Sequence, residues 1–480
     1  MATDTPTTAT ATGGAAAEPS RSGDRRARLN ALARDPYALW GAFLLVHVVL
    51  WLTALLGSGM PLGDVTLVYL PWAQLAEHGY TFMGVTSPWV YPAVAMVPIL
   101  IPMLAGSGGY VMAWLAMVTL FDVAAFAVLI RRRRRRSVAA AWWWLAFLLL
   151  LGPIAVGRLD AVSVAIVIIA LVWLAARPQL ASVLLAVATW IKVWPAGVIL
   201  AIIVAVRRRW LVLGYVLVTS AVITIVAIAF GGLDDVFSFV GQQTGRGLQI
   251  EAPISMPWMW AAALHVQGSF LYYDQHLLTF QVMGRNIAAV SAMMTPALAI
   301  AVAAVTLIGL RAVLRRAPSA LVLPQLMLAI VTALIAFNKV GSPQYIDWLA
   351  APVIIGLLMS GRRFLTPAVL VAVTAGLTQL FYPYLYMELL NLNAWMLAAV
   401  TARNVMLFVV LGWAVVALWR TGTRAKRAAA TGPRTTAGST TWPRDDAGEG
   451  ESEGGASLER GNRAADRVEP TVDELFPNQV

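Results

Sequence analysis

The chain has 480 residues, of which 59% are apolar and only 12% carry a formal charge. A soluble globular protein carries about 25% charged residues, so a soluble enzyme of this length is excluded in favour of a polytopic membrane body. The absence of cysteine removes disulfides and thiolate metal sites, and 35 basic against 24 acidic residues leave a net charge of +11 that calls for an explanation.

Residues 1–36 are rich in Thr, Ala, Gly and Arg and lack the apolar stretch and cleavage site of a signal peptide. They are expected to form a disordered cytoplasmic N-terminus. The body, 37–420, holds long continuous apolar runs without alternation, which are helices rather than barrel strands. A bilayer core of about 30 Å takes roughly 20 residues per helix. The fold class predicted is all-α and polytopic, with about twelve transmembrane helices. Their approximate bounds are 38–56, 110–130, 138–156, 160–176, 180–191, 194–206, 211–230, 286–310, 319–336, 346–360, 364–382 and 397–419. Two segments are irregular. Residues 92–105 are apolar but interrupted by Pro92, Pro98 and Pro102, and predict an interfacial or re-entrant segment. Residues 180–206 predict a short hairpin turning near Lys192 and Pro195, with arms too short for full spans unless the apex lines a cavity. Residues 421–480 hold Gly, Ser, Thr and mixed charge and predict a disordered cytoplasmic tail.

Arginine parity sets this topology. Short basic clusters stay in the cytoplasm, and the clusters are Arg131 to Arg136, Arg207 to Arg209, Arg311 with Arg315 and Arg316, and Arg362 with Arg363. With both termini inside, one solution places them all in the cytoplasm. It also puts nine of the ten acids of the body at or beyond the outer edge, Asp122 being the exception. The basic charge is then a statement of orientation in a plasma membrane, and nucleic acid is not expected as a partner.

Six cations stay on the outer side: Arg158, Lys192, Arg246, Arg285, Lys339 and Arg403. Cations at membrane depth are costly and mark function by default. An outward cluster close to lipid suits an anionic headgroup such as a phosphate. For Arg403 the plain alternative is snorkelling to the interface. In the first outer loop Asp64 is placed to act as a general base toward a hydroxyl, or merely to cap the helix that follows. The largest outer loop carries Trp258, Trp260, Tyr272, Tyr273, Asp274 and His276, which suit sugar stacking or an aromatic belt. Asn338 to Tyr345 is a polar turn whose Lys339, Gln344 and Tyr345 either join the same cavity or cap two helices. The four histidines lack ligand spacing, His47 being expected as a bonded core residue, so no metal and no cofactor are expected.

These outer pieces resemble, in their order, the polytopic GT-C glycosyltransferases. The resemblance is closest to the polyprenol-phosphate-mannose-dependent mannosyltransferases of family 87, known from actinobacteria. It is carried by Gly63-Asp64 with Tyr69, Tyr91-Pro92, Gly157-Arg-Leu-Asp160, Lys192-Val-Trp-Pro195, Arg246-Gly-Leu-Gln-Ile-Glu251, Lys339-Val-Gly-Ser-Pro-Gln-Tyr345 and Arg403-Asn404. Where the family often has a second proline after Tyr91-Pro92 the chain has Ala93, and where it often has serine after the glutamate the chain has Ala252. The resemblance implies an outward cavity that receives a polyprenyl-phosphate sugar donor and a lipid or glycan acceptor. It implies Asp64 as the catalytic base of an inverting transfer. Lys192, Arg403, Arg246 and Lys339 would meet the donor phosphate. Tyr69, Tyr91, Arg158, Asp160, Gln249, Glu251, Gln344 and Tyr345 would contact sugar or acceptor. The alternative from another class is a transporter or lipid flippase, for which matching halves with broken helices are expected; residues 38–210 and 211–420 show no such similarity.

Overall fold

The computed structural model describes residues 31, 33–131, 134–244, 246–275 and 277–431. Among them, twelve helices of eleven or more residues make one bundle, and each answers to one predicted span. They are α1 (Pro36–Leu56), α2 (Gly106–Ile130), α3 (Arg135–Leu151), α4 (Leu159–Trp173), α5 (Pro178–Ile191), α6 (Pro195–Ala205), α7 (Arg209–Ala229), α8 (Ile287–Leu314), α9 (Ser319–Ala336), α10 (Ala350–Ser360), α11 (Leu365–Phe381) and α12 (Ala394–Thr431). By length and composition eight segments among the described residues qualify to cross a membrane, one of them running from α10 through α11; α4, α5 and α6 are apolar but shorter. His276 and most of both expected tails lie outside the described residues.

The breaks follow the prolines and glycines. Residues 93–105 form a chain of short helical pieces around Pro98 and Pro102. This irregular run, expected from the prolines, ends at Gly106, whose φ of +69° is the left-handed backbone that favours glycine. The hairpin arms α5 and α6 are as short as expected, and Lys192 occupies the turn between them. One boundary differs. α12 continues through Thr431, past the expected body limit at 420, because residues 421–431 (Thr-Gly-Thr-Arg-Ala-Lys-Arg-Ala-Ala-Ala-Thr) are mostly good helix formers.

The bundle alternates between two ends. The connections after α1, α3, α5, α7, α9 and α11 come together at one end, where Arg158 reaches Pro61 and Tyr382, and Gln249 reaches Gly341. The arginine clusters occupy the other end, where Arg136 donates to the carbonyl of Met359. α4 and α9 are buried almost all round, whereas α7 and α8 expose most of their apolar side chains. Helices in lipid gain nothing from hiding apolar surface and associate through close packing and polar contacts. His47 on α1 supplies one such contact. Its Nδ1 lies 3.0 Å from the Phe43 carbonyl and its Nε2 lies 3.2 Å from Asp122 on α2, which makes it the bonded core residue expected.

Candidate active site

Two chambers lie side by side at the end opposite the arginines. The first encloses about 470 Å³ and is lined by Asp64, Arg158, Gln249, Glu251, Tyr382 and Tyr386, with Trp72, Tyr273 and Phe280 among its aromatic walls. The second encloses about 430 Å³ and is mainly apolar, lined by Phe239, Leu298, Leu334 and Phe337 with Lys192, Lys339 and Tyr345. Tyr91, Arg246 and Gln344 line both and form the shared wall.

In the polar chamber Asp64 precedes a single wide helical turn, Val65–Tyr69, and its side chain makes no cap hydrogen bond. The capping alternative therefore falls. Its Oδ2 lies 3.0 Å from Nε of Arg158, and its side chain is still 35% exposed to the chamber. Arg158 is buried and held in turn. It donates to the carbonyls of Gly157 (2.9 Å) and Pro61 (3.3 Å) and to the hydroxyl of Tyr382. A guanidinium has donors only, so each of these contacts orients it toward Asp64. Glu251 faces the same space with its Oε1 accepting from the Tyr386 hydroxyl. Burial pushes the Glu251 carboxyl above its ordinary range, against the opposing pull of that hydrogen bond.

In the apolar chamber Lys192 and Arg246 differ. Lys192 Nζ is 3.2 Å from Asp160 Oδ2 and 4.2 Å from the centroid of the Tyr91 ring. Asp160 Oδ1 also accepts from Trp348 Nε1 at 2.7 Å. Lys192 is thus neutralised from behind. Arg246 has no ion pair among the described residues. Burial, and next the Arg246 cation, push the Lys339 ammonium below its ordinary value. Two cations that repel each other in an apolar chamber make a site that an anion stabilises.

Two of the motif pieces interlock to build the shared wall. Gln249 N donates to the Lys339 carbonyl at 3.1 Å, and Gly341 N donates to Gln249 Oε1 at 3.1 Å. A hairpin of Phe270–Asp274 and Thr279–Met283 braces this loop, with Val282 N on the Leu248 carbonyl and Gln249 Nε2 on Thr279 Oγ1 at 2.6 Å. At Gly341 an added Cβ would lie 2.2 Å from the Ala252 nitrogen, backbone against backbone. We expect Gly341→Ala to push the two loops apart and lower turnover by about 10²-fold, since a displacement near 1 Å carries that cost. Steady-state assay of the purified variant checks it, and unchanged turnover refutes it.

Three of the expected contact residues do not reach either chamber. Tyr69 is buried behind Asp64, its ring 5.0 Å from that of Trp114, because its side of the helical turn faces α2. Asp160 is buried as the partner of Lys192 and Trp348. Arg403 is fully buried in α12, under the ring of Phe381, and donates to the backbone carbonyl of Glu251 at 3.1 Å. Asn404 reaches the same carbonyl at 3.3 Å. Arg403 therefore holds the loop from below and does not snorkel to the interface. Trp258 and Trp260 bond Arg285 and Thr401 and also leave the chambers. The sequence reading missed Tyr382 and Tyr386. The one available signal was Tyr-Pro-Tyr-Leu-Tyr at 382–386, an aromatic cluster directly after a span. Among the described residues no three His, Asp or Glu side chains gather to hold a metal ion.

One comparison with known proteins adds to this geometry. The sequence model described as Glycosyltransferase family 87 matches residues 89–336, just over half of the chain, which includes Tyr91, Arg158, Lys192, Arg246 and Glu251 but not Asp64 or Lys339. No curated protein and no solved structure matches the chain.

Proposed function

The chain belongs to glycosyltransferase family 87, and from that membership we propose that it moves a sugar, mannose in the first instance, from a polyprenyl-phosphate carrier to a hydroxyl of a lipid or glycan acceptor. That it is a membrane glycosyltransferase follows from the family together with the apolar helix bundle. Membership of a transferase family also displaces the transporter alternative. The observation that supports the finer reading is the paired chambers. An apolar chamber with Arg246 and Lys339 adjoins a polar chamber with Asp64, across the wall of Tyr91, Arg246 and Gln344. A lipid phosphate suits the first and a hydroxylated acceptor suits the second.

The reaction takes place at that wall. Asp64 takes the proton of the acceptor hydroxyl, and the oxygen attacks the anomeric carbon. The bond from that carbon to the phosphate oxygen breaks, so the configuration inverts and the carrier leaves as its phosphate. Arg246 and Lys339 meet the charge that develops on the departing phosphate, from the wall of the mainly apolar chamber. Lys192 contributes less than expected, since Asp160 already takes its charge. The arginine clusters at the opposite end favour the cytoplasmic side by the positive-inside rule. The chambers would then open outward from a plasma membrane, where a nucleotide sugar is not supplied, and α1 and α12 would begin and end inside.

Proteoliposomes given radiolabelled polyprenyl-phosphate mannose and extracted envelope lipids and glycans test this reading. We expect label to pass to the acceptor fraction from the lipid-linked donor and not from GDP-mannose. Transfer from GDP-mannose with the lipid-linked donor inert would sink it. Arg246→Gln should lower kcat/KM for the donor by about 10²–10³, the usual cost of one such contact.

A further inference from the structure

At the arginine end, far from both chambers, α8 and α12 form a second basic corner. α12 runs for 38 residues, about 57 Å at 1.5 Å per residue, against a bilayer core of about 30 Å. The helix is therefore longer than the hydrocarbon is thick, and Trp419, half exposed, lies in its C-terminal third. Arg311 of α8 lies 3.6 Å from the centroid of the Trp419 ring. Its Nη1 donates to the Trp419 carbonyl at 3.3 Å and its Nη2 to Thr423 Oγ1 at 3.2 Å. Thr421 bonds Gln325 of α9 at 3.1 Å. These contacts lock the ends of three helices together and hold the indole in place.

Around this clamp stand Arg315, Arg316, Arg420, Arg424 and Lys426, most of them exposed. Leu314 and Trp419 expose apolar surface directly beside them. Among the described residues the only acid at this end is Asp35, whose carboxylate caps Tyr37 N. Helix-dipole compensation acts only in the last turn, and Arg420 and Arg424 lie further than that from Thr431. We propose that this corner is a binding site for the headgroup of an anionic phospholipid. The phosphate meets Arg315, Arg316 and Arg424, and the acyl chains lie along Leu314 and Trp419. Exposed cations directly above an exposed apolar step fit a charged lipid and do not fit a soluble anion.

The test uses the delipidated full chain in detergent, titrated with phosphatidylglycerol or phosphatidylcholine and read by native mass spectrometry. We expect phosphatidylglycerol to be retained in preference. The triple variant Arg315→Gln, Arg316→Gln, Arg424→Gln should lose roughly tenfold in that affinity. The triple variant Arg207→Gln, Arg208→Gln, Arg209→Gln removes equal charge from the same end and should retain phosphatidylglycerol like the wild type. Millimolar inorganic phosphate should not compete. Equal retention of the two lipids, equal loss in the two variants, or displacement by free phosphate each overturns the proposal. None of these outcomes depends on the glycosyl transfer.

Discussion

Replacing Asp64 by Asn is expected to lower the turnover number by about 10²–10⁴, the range that a positioned proton acceptor contributes. The amide has nearly the shape of the carboxylate and can occupy the same place beside Arg158, whose Nε lies 3.0 Å from Oδ2. The shape of the site is kept, while the ability to take a proton is lost and the buried Arg158 loses its charged partner, so thermal unfolding in detergent is measured beside turnover. Radiolabelled transfer in proteoliposomes measures turnover, and a binding assay with the unreacted lipid-linked donor separates chemistry from affinity. Turnover like that of the wild type would remove Asp64 from the chemistry. A loss of donor affinity with unchanged turnover would make it a binding residue instead.

The second large effect concerns stability. Lys192 and Asp160 are both more than nine-tenths buried and 3.2 Å apart. Removing one partner of such a pair leaves the other charge without compensation, which typically costs about 3–5 kcal/mol. Lys192→Met should thus destabilise the protein strongly, as read by thermal unfolding in detergent. Adding Asp160→Asn should recover much of the loss, because the buried charge is gone and Asn still offers Trp348 Nε1 an acceptor in place of Oδ1. The two changes are then far from additive, as expected for residues in contact. If Lys192→Met alone unfolds at the wild-type temperature, the pair is not structural and Lys192 returns to the donor site as a free cation.

How much of this was legible differs from residue to residue. The helices were legible because lipid demands long apolar runs whose backbone is bonded internally, and the runs are nearly unbroken. Lys192, Arg246 and Lys339 were legible because a cation close to the membrane on its outer side is expensive and stands out, whereas Asp64 and Glu251 drew their expected roles from the family resemblance. The roles of the cations were less legible. Lys192 and Asp160 lie 32 positions apart, and nothing in the local sequence says that one cancels the other. Arg403 has the spacing of a cation two turns into a span, but its direction is set by Glu251, 152 positions earlier. Tyr382 and Tyr386 carry no charge and gave no such signal, although their hydroxyls hold Arg158 and Glu251.

Sequence alone determined the membrane body, the twelve helices, the two irregular segments and the set of costly charges. Each of these follows from the transfer free energy of a residue or a short run, which is a local property. Tertiary structure alone decided which of those charges face a chamber and which face each other. It put Arg246 and Lys339 in the wall of the apolar chamber, set Lys192 there against Asp160, and turned Arg403 to a backbone carbonyl. Coulomb and hydrogen-bond energies depend on distances of a few ångströms between groups far apart in the chain, and only packing of the bundle sets those distances.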